Sequence, residues 1–177
     1  DLIDLIDKSA EQASLIFDDF LDFIKNTPIK KIPVNINKVS WDAVKQVEIR
    51  DGAANVIINV NVPDPLFVNG DERKLRRTLS NLVNNAVDAL HDHKIPNATL
   101  NINAQIQDDM VLISVADNGP GIPDEIMSTL FEPFVTKQKK NGTGLGLAIV
   151  KQFITAHGGN ITVQNNHGAV FLISLPL

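Results

Sequence analysis

Asp117-Asn-Gly-Pro-Gly-Ile-Pro123 follows directly on an alternating apolar run, Val111 to Val115, and its reading decides what kind of domain this is. The alternation predicts a strand, so Asp117 stands at a strand end with a glycine- and proline-rich turn behind it. A carboxylate placed there can accept a hydrogen bond from an exocyclic amine. Gly119 and Gly121, with Ile122 beside them, let backbone approach a flat ring closely. Adenine suits such a pocket. Taken alone, the same residues also make a plain turn, because Asn-Gly and Gly-Pro are common turn dipeptides.

Upstream, Leu100 to Ile106 alternates as well, and Asp108 and Asp109 join the two runs as an antiparallel hairpin. Before them, Asp71 reads as an N-cap. Leu75, Leu79, Leu82, Val83, Ala86, Val87 and Leu90 then form the broad apolar face of a helix ending near His91. Earlier still, Ser40 to Gly52 reads as a helix, Val56 to Val62 as a strand closed by Pro63 and Pro65, and Leu66 to Val68 as a short strand. Downstream, a long loop runs from Asp117 to Gly142 with a short helix around Glu125 to Leu130, a length that points to a task of its own. A helix over Gly146 to His157 is stopped by Gly158 and Gly159, and strands near Ile161 to Gln164 and Val170 to Ser174 finish the chain. The expected architecture is a two-layer α/β sandwich: one mixed, mainly antiparallel sheet covered by helices on one face.

The first segment is different. Ile3, Ile6, Ala10, Ala13, Phe17, Phe20 and Ile24 recur at three- and four-residue steps, the seam of helices packed side by side, and such a seam needs a partner helix. An ordinary surface helix on the same core is the alternative. Asn26, Thr27, Pro28 and Pro33 end the segment, because proline lacks the amide donor. The expected division is therefore residues 1–28 as a helical appendage and 29–177 as the main domain.

The 177 residues carry a net charge of −5, with 44% apolar and 21% charged residues, as in a folded globular domain. Lysines and arginines are dispersed, which argues against nucleic acid as a partner. Cysteine is absent, so disulfides and thiolate metal sites are excluded and a reducing compartment fits. No apolar run nears the ~20 residues that cross a bilayer, and the acidic start does not resemble a secretory signal. The chain begins with Asp. These features read as a cytoplasmic piece without membrane contact of its own, cut from a longer protein that can itself be anchored in the inner membrane.

Three further clusters carry chemistry. Asn81 and Asn85 lie four apart on one helix face, and an amide oxygen is a hard ligand of the kind Mg²⁺ accepts while keeping its waters and phosphates. Asparagines on the wet side of an amphipathic helix are the plain alternative. Phe131-Glu-Pro-Phe134 precedes Thr136, Lys137, Lys139 and Lys140, an apolar anchor before a basic stretch in which Lys137 can reach a terminal phosphate. A solvated lysine run with two core phenylalanines is the competing reading. Gly142, Thr143, Gly144, Leu145, Gly146 and Leu147 open the last helix, where freed backbone amides and the helix dipole favour an anion. The spacing matches neither the common phosphate-loop nor the dinucleotide pattern.

The order Asn81…Asn85, DNGPGIP, FEPF and GTGLGL resembles the N, G1, F and G2 boxes of the sensor histidine kinases, within the wider gyrase, Hsp90, kinase and MutL ATPase group. The resemblance covers about residues 33 to 177. It implies the Bergerat α/β sandwich and ATP with Mg²⁺ as cofactors. It further implies Asn85 on Mg²⁺, Asp117 on the adenine amine, and Gly142 to Leu147 on the phosphates under a lid. The first helix resembles the second helix of the family's dimerisation and phosphotransfer hairpin, its partner helix being absent. The implied partners are that dimerisation and phosphotransfer domain, a response regulator receiver domain and a second copy in a homodimer.

Three features refine the resemblance. Gyrase-type and MutL-type members carry a glutamate base where Asn81 stands, and an amide has no basic site to activate water, so weak intrinsic ATPase activity is expected. None of His91, His93, His157 and His167 sits in the acceptor motif of the family, so the phosphorylated histidine is expected outside these residues. Asp88 occupies a place where a lysine often helps hold phosphates, with Lys137 as the candidate replacement. A non-catalytic ATP sensor and an anti-sigma-factor serine kinase of the same fold are the competing functions, and the seam from Ile3 to Ile24 separates the latter.

Overall fold

The computed structural model describes residues 2–24, 28–48, 55–135 and 143–177. It opens with helix α1 (Leu2–Ile24), in agreement with the seam. Ile6, Phe17, Phe20 and Ile24 of that seam are exposed, as is Ile16. Phe23 points the other way, packing on Leu145, Ile149 and Phe153. Helix α1 thus rests on the main body by one side and leaves its seam open.

Strand β1 (Ile32–Asn35) was not expected, since Pro33 reads as a breaker. It pairs antiparallel with β3 (Phe67–Gly70) in a separate two-stranded sheet, an edge position where the missing proline donor costs nothing. The strands are thus not gathered into one sheet as expected. Helix α2 (Ile36–Glu48) begins four residues earlier than its apolar spacing indicates. The Asn35 side chain accepts from Asn37 N at 3.1 Å and supplies a start that the periodicity alone hides. Ile36, Val39, Ala43, Val44 and Val47 bury one face of α2, and the Ser40 hydroxyl among them donates to Ile36 O at 2.8 Å. The expected end of this helix at Gly52 lies outside the described residues.

The main sheet has the order β2-β4-β5-β7-β6, formed by β2 (Ile57–Asn61), β4 (Thr99–Gln107), β5 (Met110–Asp117), β7 (Ala169–Pro176) and β6 (Asn160–Asn165). In this sheet β2 and β4 run parallel and the other pairs are antiparallel, β4–β5 as its hairpin signal predicts and the whole as the expected mainly antiparallel sheet. Against one face lies α3 (Glu72–Asp92), capped by the Asp71 side chain, which accepts from Lys74 N. Leu75, Leu79, Leu82, Val83, Ala86 and Val87 meet Leu100, Ile102, Ile113, Val115, Phe171 and Ile173 from the strands in one core. Helix α5 (Gly146–Ala156) packs beside α3 on the same face, and the short α4 (Asp124–Met127) interrupts the long loop. The expected two-layer sandwich is present.

Candidate functional site

Asp117 is the last residue of β5, the central strand of the sheet, and is half-buried where that strand gives way to the turn. Its Oδ1 accepts from Gly119 N at 2.8 Å and from Ala169 N, at the start of β7, at 3.2 Å. Burial pushes the carboxyl above the usual carboxylate range, and the two backbone donors pull the other way without cancelling it. Asn118 fixes the turn to β4: its Oδ1 accepts from Thr99 N at 2.8 Å and its Nδ2 donates to Asn97 O at 3.0 Å. Gly121 has φ +75°, a conformation that side-chain-bearing residues seldom adopt. Beside it, Ile122 exchanges two bonds with the Asn165 side chain, each 2.8 Å.

At the other end, Thr143 to Leu147 lead into α5. Gly144 has φ +68°, and a Cβ there would lie 2.7 Å from the Phe134 Cα, so backbone meets backbone. Phe134 N donates to Gly144 O at 2.9 Å, which joins the phenylalanine box to the glycine box. The Thr143 hydroxyl accepts from Leu145 N at 3.1 Å and donates to Asp19 Oδ2 of α1 at 2.9 Å. Leu145 is buried, and Leu147 packs against the main core. First-turn amides of a helix have no intrahelical carbonyl to meet, and α5 begins where those amides face the turn.

Helix α3 connects the two ends. Asn81 Nδ2 donates to Gly146 O at 3.2 Å. A Cβ on Gly119 would touch Leu90 at 3.5 Å. Nine residues separate Asn81 from Leu90, about 13 Å along the helix, which suits a nucleotide lying from base to phosphates. Asn85 falls between them, half-buried on the Asn81 side.

Residues 70–177 match the model of the histidine kinase-, DNA gyrase B-, and HSP90-like ATPases. The chain belongs to that family. It is 32% identical over 185 residues to the alginate biosynthesis sensor protein KinB of Pseudomonas aeruginosa, an alignment covering all of this chain and 30% of the relative. Its fold is similar to the catalytic domain of histidine kinase ThkA, with 31% identity and a TM-score of 0.73 over 83% of this chain and 95% of that one. It is also similar to ThkA in complex with the response regulator protein TrrA, with 26% identity and a TM-score of 0.79 over 99% of this chain and 50% of that one. The chain spans under a third of the length of the curated relative it matches. Within the family it is a catalytic domain of the histidine-kinase kind.

Against this family frame, several sequence expectations need correction or completion. Phe131 is an anchor, stacked edge-on against Phe171 at 6.4 Å between centroids. Phe134 is not core: it is 66% exposed with φ 65°, because its backbone serves Gly144. Lys137 and Gly142, with Thr136, Lys139 and Lys140, lie outside the described residues. His157 does not merely sit in a glycine turn but is buried at the α5 C-cap. Its Nε2 accepts from Asp71 N at 2.9 Å, which makes Nδ1 the protonated nitrogen, donating to Phe153 O at 2.7 Å. Both ring nitrogens thereby have a backbone partner. His91 and His93 are exposed at the end of α3, and His167 lies in the β6–β7 turn. Asn165 was not legible as a site residue, because an asparagine at a strand end carries no pattern until the fold brings Ile122 to it.

No group of three or more histidine, aspartate or glutamate side chains among the described residues could hold a metal ion. An amide oxygen such as that of Asn85, together with phosphates and waters, is a donor set that fits Mg²⁺. Among the described residues no helix is long and apolar enough to cross a membrane.

Proposed function

We propose that this chain binds Mg-ATP and donates the γ-phosphoryl group to a histidine on a dimerisation and phosphotransfer domain, as one step of two-component signalling. The observation that carries the reading is the convergence along α3: the Asp117 turn lies against Leu90 and the glycine turn against Asn81, with Asn85 between them. In this reading Asp117 accepts from the adenine amine, with Gly119, Gly121 and Ile122 shaping the base pocket. Asn85 lends its oxygen to Mg²⁺, and Asn81 orients the glycine turn. Thr143, Gly144, Leu145, Gly146 and Leu147, with Gly142, offer amides to the phosphates, and Lys137 adds a positive charge. Magnesium, when bound, neutralises developing phosphate charge; the chain's own residues position and desolvate.

Residues 1–28 are read as the second helix of the phosphotransfer hairpin and 29–177 as the catalytic domain. The exposed seam of α1 is the surface that a first helix and a second copy would cover. A receiver domain is the partner proposed by likeness to the ThkA complex. Asn81 in place of an acidic base predicts slow hydrolysis of ATP by the isolated chain.

The test is phosphoryl transfer in trans. Labelled ATP with this chain alone should leave no acid-labile phosphate on it, while adding a separately purified phosphotransfer domain should place acid-labile label on that domain. Label on the chain itself, or brisk hydrolysis that Asn85→Ala abolishes, would refute the reading.

A further inference from the structure

The turn that reads the base is held by a part of the chain that no motif marks. Asn165 ends β6, and its side-chain amide meets the Ile122 backbone as a neighbouring strand would, accepting from Ile122 N and donating to Ile122 O, both at 2.8 Å. A Cβ on Gly121 would lie 2.8 Å from Asn165 Oδ1, so the glycine is what lets the amide come so near. Three residues on, Gly168 has φ +144°, and a Cβ there would fall 2.0 Å from the Asp117 carbonyl oxygen and 3.0 Å from the Asn118 Cα. The next amide, Ala169 N, donates to Asp117 Oδ1 at 3.2 Å. Three residues of the β6–β7 hairpin, Asn165, Gly168 and Ala169, thus grip both ends of the 117–122 turn.

From this we infer that Asn165 and Gly168 are positioning residues that set the preference for a 6-aminopurine, an inference that rests on the function proposed above. The chemistry is specific. Oδ1 of Asp117 is committed to two backbone donors, Gly119 N and Ala169 N. In the proposed reading the other oxygen, Oδ2, meets the ligand, and an acceptor fixed in place rewards an amine and rejects a base that lacks one. Loosening the grip lets the carboxylate turn toward water, and the amine loses its advantage while phosphate contacts stay as they are. Asn165 is exposed and its side chain lies outside the main core, so its truncation removes the two bonds to Ile122 without opening a cavity.

The experiment is equilibrium binding of ATP and of purine riboside triphosphate, which lacks the 6-amine, to the full chain and to Asn165→Ala, Gly168→Ala and Asp117→Asn, with a thermal melt of each. The unaltered chain should prefer ATP, and Asp117→Asn should erase the preference. Asn165→Ala and Gly168→Ala should each weaken ATP by about tenfold, the size of one charge-assisted hydrogen bond, and leave the analogue within about twofold. If Gly168→Ala does not fold, an ester in place of the Gly168–Ala169 amide removes only the Ala169 N–H and carries the same expectation. Equal weakening of both nucleotides, or no change in either, overturns the inference while leaving the proposed function standing. An unaltered chain without preference for ATP, or a preference that survives Asp117→Asn, overturns the proposed base reading and this inference with it.

Discussion

The two ends of the candidate site are secured in different ways. At the Asp117 end the anchors come from the catalytic body itself: Asn118 to β4, Asn165 to Ile122, and Ala169 to the carboxylate. At the glycine end they are shared with another element. Asn81 of α3 reaches Gly146, but Thr143 donates to Asp19 of α1, and Phe23 of α1 packs on Leu145. Asp19 and Asp22 also pair with Arg77 of α3, at 2.6 and 3.1 Å, so α1 touches α3 as well as α5 and the turn before it. In the proposed function the base pocket is therefore built by one folded unit, whereas the glycine end also depends on where α1 sits.

The hardest blow to this contrast should come from Asp117→Asn. It removes the ligand-facing carboxylate, and ATP affinity should fall about a hundredfold by calorimetry, as expected for a lost bond between a buried charge and its donor. Stability should not fall with it. The folded-state carboxyl is held above its ordinary range by burial, so the group contributes stability that is complete below the ordinary carboxylate pKa and is lost as pH rises through the raised one. The variant should therefore melt no lower than the unaltered chain at neutral pH. Acidification should weaken ATP before an ordinary aspartate would titrate, because protonation takes away the acceptor; an affinity flat down to the usual carboxylate range would contradict this.

Asn85→Ala should cost about tenfold in affinity for ATP in the presence of Mg²⁺, on the order of 1.4 kcal/mol. The effect should vanish when Mg²⁺ is chelated. If the loss is the same with and without the ion, Asn85 serves the protein scaffold and not the metal. Lys137→Ala should lower ATP affinity by about three- to fivefold at low salt and leave it unchanged at high salt, the behaviour of a screened surface charge. No change at low salt would leave Asp88 without the proposed substitute.

The smallest effect tests the glycine end most directly. Asp19→Ala frees the Thr143 hydroxyl and leaves Arg77 less neutralised, so ATP should bind about two- to threefold more tightly, within the range of a half-exposed ion pair. AMP, which lacks the distal phosphates, should not respond. A change in both nucleotides alike would mean that α1 acts on the whole body, and the contrast between the two ends would be lost.

Much of this was legible from residue order alone. The alternation of Val111 to Val115, the apolar face from Leu75 to Leu90 and the Asp71 cap predict β5 and α3 nearly to their ends, because strand and helix periods are local properties of the chain. Asp117, Asn81, Asn85 and the glycine turn could be named as candidates, because carboxylate, amide and glycine have few substitutes for accepting an amine, offering a hard oxygen and freeing a helix N-terminus. Other features follow from tertiary contact and leave no local trace. Strand β1 exists because β3 lies beside it, in spite of Pro33. Phe134 is exposed while its amide meets Gly144, and His157 is buried with Asp71 and Phe153 at its two ring nitrogens. Asn165 and Gly168 matter through partners 43 and 51 residues away, Ile122 and Asp117. Residue type therefore determined which chemistry was present, and the three-dimensional pairing of distant backbone decided how firmly each group is held, because a hydrogen bond between remote segments depends on where the fold brings them and on nothing that the intervening sequence displays.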